Sequence, residues 1–109
     1  MTNATAERVF DALGDRTRRA VFLRLRGGAR SVTDLADGMH VTRPAVSQHL
    51  RVLREARLVV ARAEGTKRLY AVDPRGLESI RGWLDGFWDE ALDAFKQAVE
   101  SEARKGRGR

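Results

Sequence analysis

One stretch of the chain carries side chains whose types and spacing suit contact with nucleotide bases. When residues 43–54 are projected as a helix at ~100° per residue, five polar residues lie on one side: Arg43, Ser47, Gln48, Arg51 and Arg54. Arginine pairs with guanine, glutamine with adenine, and serine with either, whereas Arg51 and Arg54 suit phosphates better. This side of the helix contains no carboxylate except Glu55 at its edge. Its polar residues therefore have no obvious partner within the chain. They indicate a base-reading face; the alternative is a solvated helix face.

The opposite side of the same helix is expected to face a core. It holds mostly apolar residues: Val46, Leu50, Leu53 and Arg57, flanked by Ala45 and Ala56. Thr42 is a favourable N-cap, and Pro44 lies in the first turn, where its missing N–H breaks no helical hydrogen bond. The pattern predicts a helix that ends near residue 56.

Three shorter helices are predicted before it. Apolar residues recur at helical spacing over residues 5–26, and the interruption at Gly14 indicates two helices. Asp15 can cap the second, and Ser31 can cap a third, short helix. Residues 31–56 therefore predict a helix-turn-helix.

Two further stretches, 58–63 and 68–72, are rich in branched and aromatic residues, which is typical of a β-hairpin. A hairpin after a helix-turn-helix is the wing of a winged helix-turn-helix, and residues 58–72 are assigned to it. Three basic residues lie at or near its tip, where a wing contacts phosphates or the minor groove: Arg62, Lys67 and Arg68. Protection of an edge strand against pairing with other chains is the alternative explanation.

The rest of the chain predicts one long helix over residues 74–103, capped by Asp73. One side carries apolar residues that are expected to form a dimer interface: Leu84, Phe87, Trp88, Ala91, Leu92, Phe95 and Val99. Four of the seven aromatic residues lie on this helix, a concentration more usual in interfaces than on free surfaces. Packing within the subunit is the alternative. Residues 104–109 are expected to form a disordered basic tail.

Length and composition indicate a single domain over residues 1–103. Residues 1–72 carry 14 basic and seven acidic side chains, whereas residues 73–103 carry three and eight, so a basic module precedes an acidic one. A basic module attracts polyanions. The chain has no cysteine, no run of the ~20 apolar residues that a membrane span needs, and no signal-peptide pattern. We therefore expect a soluble, cytoplasmic protein.

Three segments together resemble the ArsR/SmtB family of bacterial repressors. They are LGDRTRR at Leu13–Arg19, VTRPAVSQHLRVLR at Val41–Arg54, and the wing at Leu58–Tyr70. The resemblance covers residues 5 to about 100. It implies a mainly α winged helix-turn-helix with a long C-terminal dimerisation helix. It also implies a homodimer, formed through the first and last helices, that binds an inverted repeat in double-stranded DNA, usually its own operator.

The resemblance also implies which residues approach DNA from the recognition helix. They overlap the set from the helical projection: Arg43, Pro44, Ser47 and Gln48. The full set of candidate DNA contacts is Thr42, Arg43, Pro44, Ser47, Gln48, Arg51, Arg54, Arg62, Lys67 and Arg68. A two-fold dimer would hold its two recognition helices about one DNA turn, ~34 Å, apart, which predicts a palindromic operator.

Metal sensing, which is common in that family, is not expected here. Family sites use cysteines near the third helix or histidines and carboxylates on the last, but this chain has no cysteine and no histidine after residue 49. Asp85, Asp89 and Asp93 form a row, yet carboxylates alone bind transition metals weakly, so a solvated acidic face is expected. His40 and His49 are too few for a zinc site. No cofactor is predicted, and the signal stays open: a small molecule, another protein or the repressor's own concentration.

Catalysis is not expected either. Ser47 and His49 are two positions apart on a helix and do not face each other, and the chain has neither a P-loop nor a dinucleotide fingerprint. The competing hypothesis is a structural protein that coats DNA through the same basic face without reading its sequence. Gln48 discriminates between the two, because a base-reading glutamine matters on the operator and not on unrelated DNA.

Overall fold

The computed structural model describes residues 3–107 and confirms a mainly helical domain with a two-stranded antiparallel hairpin and a long C-terminal helix. In chain order its elements are α1 (Asn3–Gly14), α2 (Arg16–Leu23), a 3-10 turn (Arg24–Gly27), α3 (Val32–Ala36), α4 (Arg43–Glu55), β1 (Val59–Glu64), β2 (Lys67–Val72) and α5 (Pro74–Arg107). Helices α3 and α4 form the helix-turn-helix, and the hairpin of β1 and β2 follows as the wing.

Side-chain caps begin three helices at the residues that the sequence indicates. The carboxylate of Asp15 accepts the backbone N–H of Arg18 at 2.9 Å, at the start of α2. Ser31 Oγ and Thr42 Oγ1 each accept, at 3.2 Å, the N–H three residues on, at the starts of α3 and α4. Each cap satisfies a backbone donor that a helix start leaves unpaired. The bond from Arg18 also lowers the pKa of Asp15, because it favours the charged carboxylate.

The core lies between helices α1 to α4 and the base of the hairpin. Its largest fully buried side chains are Val9, Val21, Leu25, Leu35, Val46, Leu50, Leu53 and Leu58. Burying one such side chain contributes roughly 1.5–3 kcal/mol. Three of them belong to α4, at helical spacing, so the core holds one side of α4 and leaves the other side in solvent.

The turn after α4 corrects one expectation. Arg57, expected on the core side, is exposed and has a φ of 61°, the left-handed region that glycine usually adopts at this position. Its N–H donates to Arg54 O at 3.0 Å, and the Leu58 N–H donates to Leu53 O at 2.9 Å. These two bonds make a Schellman motif. Because the chain leaves helical geometry here, Leu58 and not Arg57 enters the core.

The hairpin is tighter than predicted. Glu64 and Lys67, which lie between the two predicted strands, are the last paired residues, so the loop contains only Gly65 and Thr66. Gly65 has a φ of 63°, as a two-residue loop of type II′ requires at its first position. The short loop therefore brings the charges of Glu64 and Lys67 onto the strands.

Helix α5 has 34 residues, which corresponds to a length of about 51 Å at 1.5 Å per residue. Ile80, in its second turn, still packs against the core. Every residue from Arg81 to Glu100 is exposed. The molecule measures 75 × 30 × 21 Å, and this projecting helix accounts for its elongated shape.

The C-terminal end of α5 corrects a second expectation. The helix continues through Arg107 and not to residue 103, so the prediction of disorder is wrong for residues 104–107. Three of these four residues are arginine or lysine, which are strong helix formers and interact favourably with the helix dipole at a C-terminus, and they outweigh the poor helix propensity of Gly106. Residues 108 and 109, also assigned to the tail, lie outside the described residues. Within residues 3–107, none of the helices is long and apolar enough to cross a membrane.

Candidate nucleic-acid interface

The candidate base-reading residues lie together on the solvent side of α4. All seven candidates from this part of the chain are exposed: Thr42, Arg43, Pro44, Ser47, Gln48, Arg51 and Arg54. On the other side, Val46, Leu50 and Leu53 have no exposed surface. One side of α4 is therefore fixed by the core, and the other presents hydrogen-bonding and cationic groups to whatever approaches.

Two of these residues make contacts within the chain. Thr42 Oγ1 accepts the Ala45 N–H, so this oxygen also caps α4. Arg51 Nε lies 3.5 Å from Glu55 Oε2, so the expectation that the face has no partner within the chain is wrong for Arg51. Both side chains of this pair are largely exposed, and such pairs contribute only ~0.3–0.5 kcal/mol. A phosphate can therefore replace the glutamate.

Helix α3 is held in place by Arg24, a residue that sequence reasoning missed. Its Nη1 donates to the carbonyl oxygens of Leu35 at 2.8 Å and Asp37 at 2.7 Å. A helix leaves such C-terminal carbonyls unpaired. Gly38 follows with a φ of 79°, which turns the chain towards α4. No local pattern signals the role of Arg24, because 11 residues separate it from Leu35.

The basic residues of the wing lie on both faces of the hairpin. Because side chains alternate along a strand, the register places Arg62 and Lys67 on one face with Glu64, and Arg68 on the other with Tyr70. Arg62 Nη2 lies 3.6 Å from Glu64 Oε2, and the Arg68 guanidinium lies 5.9 Å from the Tyr70 ring centroid. Glu64 thus offsets part of the positive charge that the sequence assigned to the tip.

The end of α4, the wing and the start of α5 meet at one junction. The Gly76 N–H donates to Arg57 O at 2.8 Å, and the Asp73 N–H donates to Leu58 O at 2.9 Å. A Cβ at Gly76 would lie 2.5 Å from Arg57 O, so only glycine allows this approach. The junction therefore couples the position of α5 to the end of α4.

At the same junction, Asp73 forms an ion pair with Arg75. The carboxylate, only 4% exposed, accepts the Arg75 N–H at 3.0 Å, as the predicted cap of α5, and the guanidinium at 2.8 Å. The side-chain hydrogen bonds from Arg75 hold the pKa of Asp73 below its ordinary value, although burial opposes this. Asp73 in turn raises the pKa of Arg75, because it accepts hydrogen bonds from the charged guanidinium. The ion pair therefore keeps both groups charged.

Arg75 is a further candidate for phosphate contact. Its side chain is 65% exposed and lines a groove of about 490 Å³ between α4 and β1, together with Arg51, Arg54 and the carboxylates of Glu55 and Asp73. Sequence reasoning missed it, because a position in the first turn of α5 gives no sign of nearness to α4. The fold therefore adds a third arginine beside the C-terminal half of the recognition helix.

The residues assigned to a dimer interface form an exposed row on α5: Leu84, Phe87, Trp88, Ala91, Leu92, Phe95 and Val99. The largest side chain of the row, Trp88, is 63% exposed. At its margin, Trp83 stacks on Phe87 with a centroid distance of 5.4 Å and forms a T-shaped pair with Phe10 of α1, with a centroid distance of 5.1 Å. Aromatic contacts thus extend the apolar row from α5 onto α1.

The histidines are placed separately. His40 is exposed in the turn before α4, and His49 is half-buried on α4. Asp85, Asp89 and Asp93 are exposed on α5. Within residues 3–107, no three His, Cys, Asp or Glu side chains are grouped so that they could hold a metal ion.

Comparison with known proteins places this geometry among DNA-binding regulators. A family model described as a helix-turn-helix domain matches residues 13–62. The HTH-type transcriptional regulator Rv2034 of Mycobacterium tuberculosis is 48% identical over 101 residues, which cover 93% of this chain and 94% of that protein. The arsenical resistance operon repressor of Escherichia coli is 31% identical over 97 residues, which cover 88% of this chain and 80% of that protein.

A solved structure is similar as well. It is the solution structure of the homodimeric winged helix-turn-helix DNA-binding domain of Mb0332 from Mycobacterium bovis, a possible ArsR-family transcriptional regulator. The TM-score is 0.64 and the sequence identity 26%, over 84% of each chain. The relatives thus extend the likeness beyond the helix-turn-helix to most of the chain.

Proposed function

Because the chain belongs to the ArsR family of DNA-binding winged helix-turn-helix transcriptional regulators, we propose that it is a homodimeric repressor of a palindromic operator. Each protomer places α4 in the major groove of one half-site, and the bound dimer blocks transcription. The operator lies upstream of the protein's own gene, so the repressor controls its own level. The protein acts by binding and not by catalysis.

The exposed face of α4 is the observation that carries this proposal. Arg43, Ser47 and Gln48 lie in its first two turns and have the donors and acceptors that distinguish base pairs in the major groove. Thr42 and Pro44, at the start of the helix, approach the DNA backbone. Because the core fixes the opposite side of α4, the helix enters the groove as a rigid element whose backbone needs no reordering.

Phosphates hold the protein in register on the duplex. We assign this role to Arg51 and Arg54 on α4, to Arg75 in the adjacent groove, and to the wing cations Arg62, Lys67 and Arg68. Glu55 and Glu64 release Arg51 and Arg62 to phosphates at small cost, because both ion pairs are exposed.

A second copy covers the apolar row of α5. A chain that exposes Leu84, Trp88 and Phe95 together presents an apolar surface that soluble monomers rarely carry. The homodimeric domain from Mycobacterium bovis supports a two-fold assembly. Two-fold symmetry then sets the two α4 helices about one turn of DNA, ~34 Å, apart. Control of the dimer is proposed to be independent of a metal, since this chain lacks cysteine and the histidines stand apart.

Fluorescence anisotropy tests the proposal. The purified protein is titrated onto labelled DNA from upstream of its own gene and onto a scrambled fragment of the same length and composition, near physiological salt. We expect a preference of ~10³-fold or more for the upstream DNA. A ratio near one, with steep dependence on salt, would support the DNA-coating alternative and contradict sequence-specific repression.

A further inference from the structure

An apolar groove lies on the body of the chain, beside the start of α5. It encloses about 650 Å³ between the end of α2, the 3-10 turn, β2 and the first turns of α5. Phe22 and Leu25 line it and are buried, whereas Leu23 and Leu77 are 45% and 37% exposed. None of the candidate DNA contacts, all within residues 3–107, is among its lining residues. The groove therefore leaves large apolar side chains uncovered at a place that the proposed DNA contacts do not use.

The groove is continuous with the apolar row of α5. At helical spacing, Leu77 lies on the same side of α5 as Leu84, Trp88 and Phe95, within about 40° of the helix circumference. All four side chains are exposed. An apolar strip thus runs along this side of α5 from Leu77, in the groove, to Val99, which is about 33 Å further along the helix. Whatever covers the row also reaches the groove.

A second copy of the chain is the occupant that fits this strip. In a two-fold dimer the same surface of each protomer meets its partner. Antiparallel pairing about Trp88, the midpoint of the strip, places Val99 of one protomer against the partner's Leu77. Each projecting helix then lies across the body of its partner, and its C-terminal part fills the groove there. Parallel pairing would instead bring the two Leu77 side chains together and leave no helix end to fill either groove.

Complementary charges at the ends of the strip support the antiparallel direction. Among the described residues, Arg26 is the one charged side chain that lines the groove; it is exposed and forms no ion pair within residues 3–107. On α5, Glu102 is exposed, lies on the same side as Phe95, and follows Val99 by three residues. Antiparallel pairing brings this carboxylate to the guanidinium in the partner's groove. Parallel pairing would bring the two Glu102 carboxylates together, which is unfavourable.

We propose that the end of α5, from Val99 to Glu102, docks into this groove of a second copy, with Glu102 paired to the partner's Arg26. The proposal rests on the proposed homodimer and adds a second contact surface and the direction in which the two α5 helices run. The new contact joins α5 of one protomer to the 3-10 turn and β2 of the other. Because Ala71 and Val72 of β2 line the groove, each protomer also supports the base of its partner's wing.

Cysteine cross-linking of the full chain tests the direction and the register, because the chain has no cysteine of its own. Leu77→Cys and Val99→Cys are combined in one chain, and the purified protein is treated with a short bismaleimide. We expect most of it to run as a covalent dimer on a denaturing gel. The two positions lie about 33 Å apart on one helix, so the reagent does not bridge them within a chain. Leu77→Cys combined with Gln97→Cys, on the opposite side of α5, is the matched control and should run as a monomer.

The single-cysteine variants distinguish the two directions of pairing. Leu77→Cys alone and Val99→Cys alone should give little covalent dimer, because antiparallel pairing holds each cysteine far from its copy in the partner. Efficient cross-linking of either single variant would show parallel pairing and overturn the proposal. Absence of cross-linking in the double variant, while sedimentation still shows a dimer, would overturn it as well. A wild-type protein that sediments as a monomer would overturn the proposed dimer and this docking together.

Charge reversal tests the ion pair. Glu102→Arg and Arg26→Glu should each weaken self-association about 5- to 20-fold, since each dimer contains two such pairs, and the combined variant should return to within about 3-fold of the wild-type constant. Glu100→Arg makes the same change on the other side of α5 and should have no such effect. Sedimentation equilibrium gives the constants, and a combined variant that is no tighter than the single ones would overturn the assigned pair. None of these measurements uses DNA, so a failure of operator specificity leaves the result on docking unchanged.

Discussion

Two regions of this chain differ in how far their apolar side chains are exposed. In the body, up to Ile80, most apolar side chains are covered by the same chain, and Leu50 and Leu53 have no exposed surface. On the projecting part of α5, every apolar side chain is exposed, up to 66% for Phe95. Both regions carry the same helical spacing of apolar residues. The pattern thus predicts that a face will be covered, but it does not say whether the same chain covers it.

The largest expected effect comes from replacing a leucine by alanine in the body, and the same replacement on the projecting helix is the comparison. Leu53→Ala should lower the free energy of unfolding by ~2–5 kcal/mol, because it leaves a cavity among fully buried neighbours. Leu84→Ala, at a side chain 56% exposed, should cost less than ~1 kcal/mol in the dissociated chain. Urea denaturation at low protein concentration measures both. Equal losses would remove the distinction between the regions.

The projecting helix should in turn govern assembly. Phe95→Glu should weaken self-association about 100-fold, about 3 kcal/mol, because it would bury a charge in an apolar seam. Gln97→Glu adds the same charge on the other side of α5 and is the matched control. Sedimentation equilibrium gives the dissociation constants. A Phe95→Glu protein that stays fully dimeric would place the interface elsewhere.

Within the body, one substitution separates base reading from charge. Gln48→Ala should weaken operator binding by ~1–3 kcal/mol and leave binding to scrambled DNA nearly unchanged. Lys67→Ala, at the wing, should weaken binding to both DNAs alike, because it removes a phosphate contact. Anisotropy on the two DNAs measures each variant. Similar losses on both DNAs for Gln48→Ala would contradict sequence reading.

Alanine substitution at two glycines of α5, one at the junction with α4 and one on the projecting part, should change the free energy of unfolding in opposite directions. Gly76→Ala should lower the free energy of unfolding by ~1–3 kcal/mol, because its Cβ would lie 2.5 Å from Arg57 O. Gly82→Ala should raise it by ~0.5–1 kcal/mol, because nothing lies within 4 Å and alanine favours the helix. Thermal unfolding shows the two shifts. A stabilised Gly76→Ala protein would contradict the close approach at the junction.

The smallest expected effect is the pH dependence at Asp73. Its native pKa is lowered, so the charge stabilises the fold above the unfolded pKa of ~3.9, and this contribution is lost as pH falls through the native pKa. Asp73→Asn keeps a good N-cap but no charge, and should lose ~0.5–2 kcal/mol at pH 7. Its stability should then fall less steeply in acid than that of the wild-type protein. Urea midpoints measured between pH 7 and pH 3 give the stability of both proteins. An equal fall in stability with pH in both would contradict the role of this charge.

Much of the fold could be predicted because its signals are local. Capping by Asp15, Ser31 and Thr42 depends on residues three positions apart, and the amphipathic face of α4 depends on residues three and four apart. Helix ends were harder to place. The left-handed turn at Arg57 depends on Leu58 entering the core, whereas the continuation of α5 through Arg107 depends on small local preferences that do not mark a helix end sharply.

Part of the candidate DNA interface could not be predicted, since it joins distant parts of the chain. Nothing near Arg75 in sequence indicates that its side chain lies in a groove with Arg51 and Arg54. Nothing near Arg24 in sequence indicates that its guanidinium binds the carbonyls at the end of α3. A count of basic residues therefore does not distinguish arginines that can contact phosphates from those that hold the fold.

The sequence by itself determined the order of the elements, the polar and basic face of α4 and the apolar row of α5, because spacing along a helix sets which residues share a face. The tertiary structure alone decided which row is covered by the chain's own core, which arginines remain exposed, and that α5 begins against the end of α4. These outcomes depend on contacts between segments far apart in sequence, such as Gly76 N–H with Arg57 O, and no local pattern carries that information.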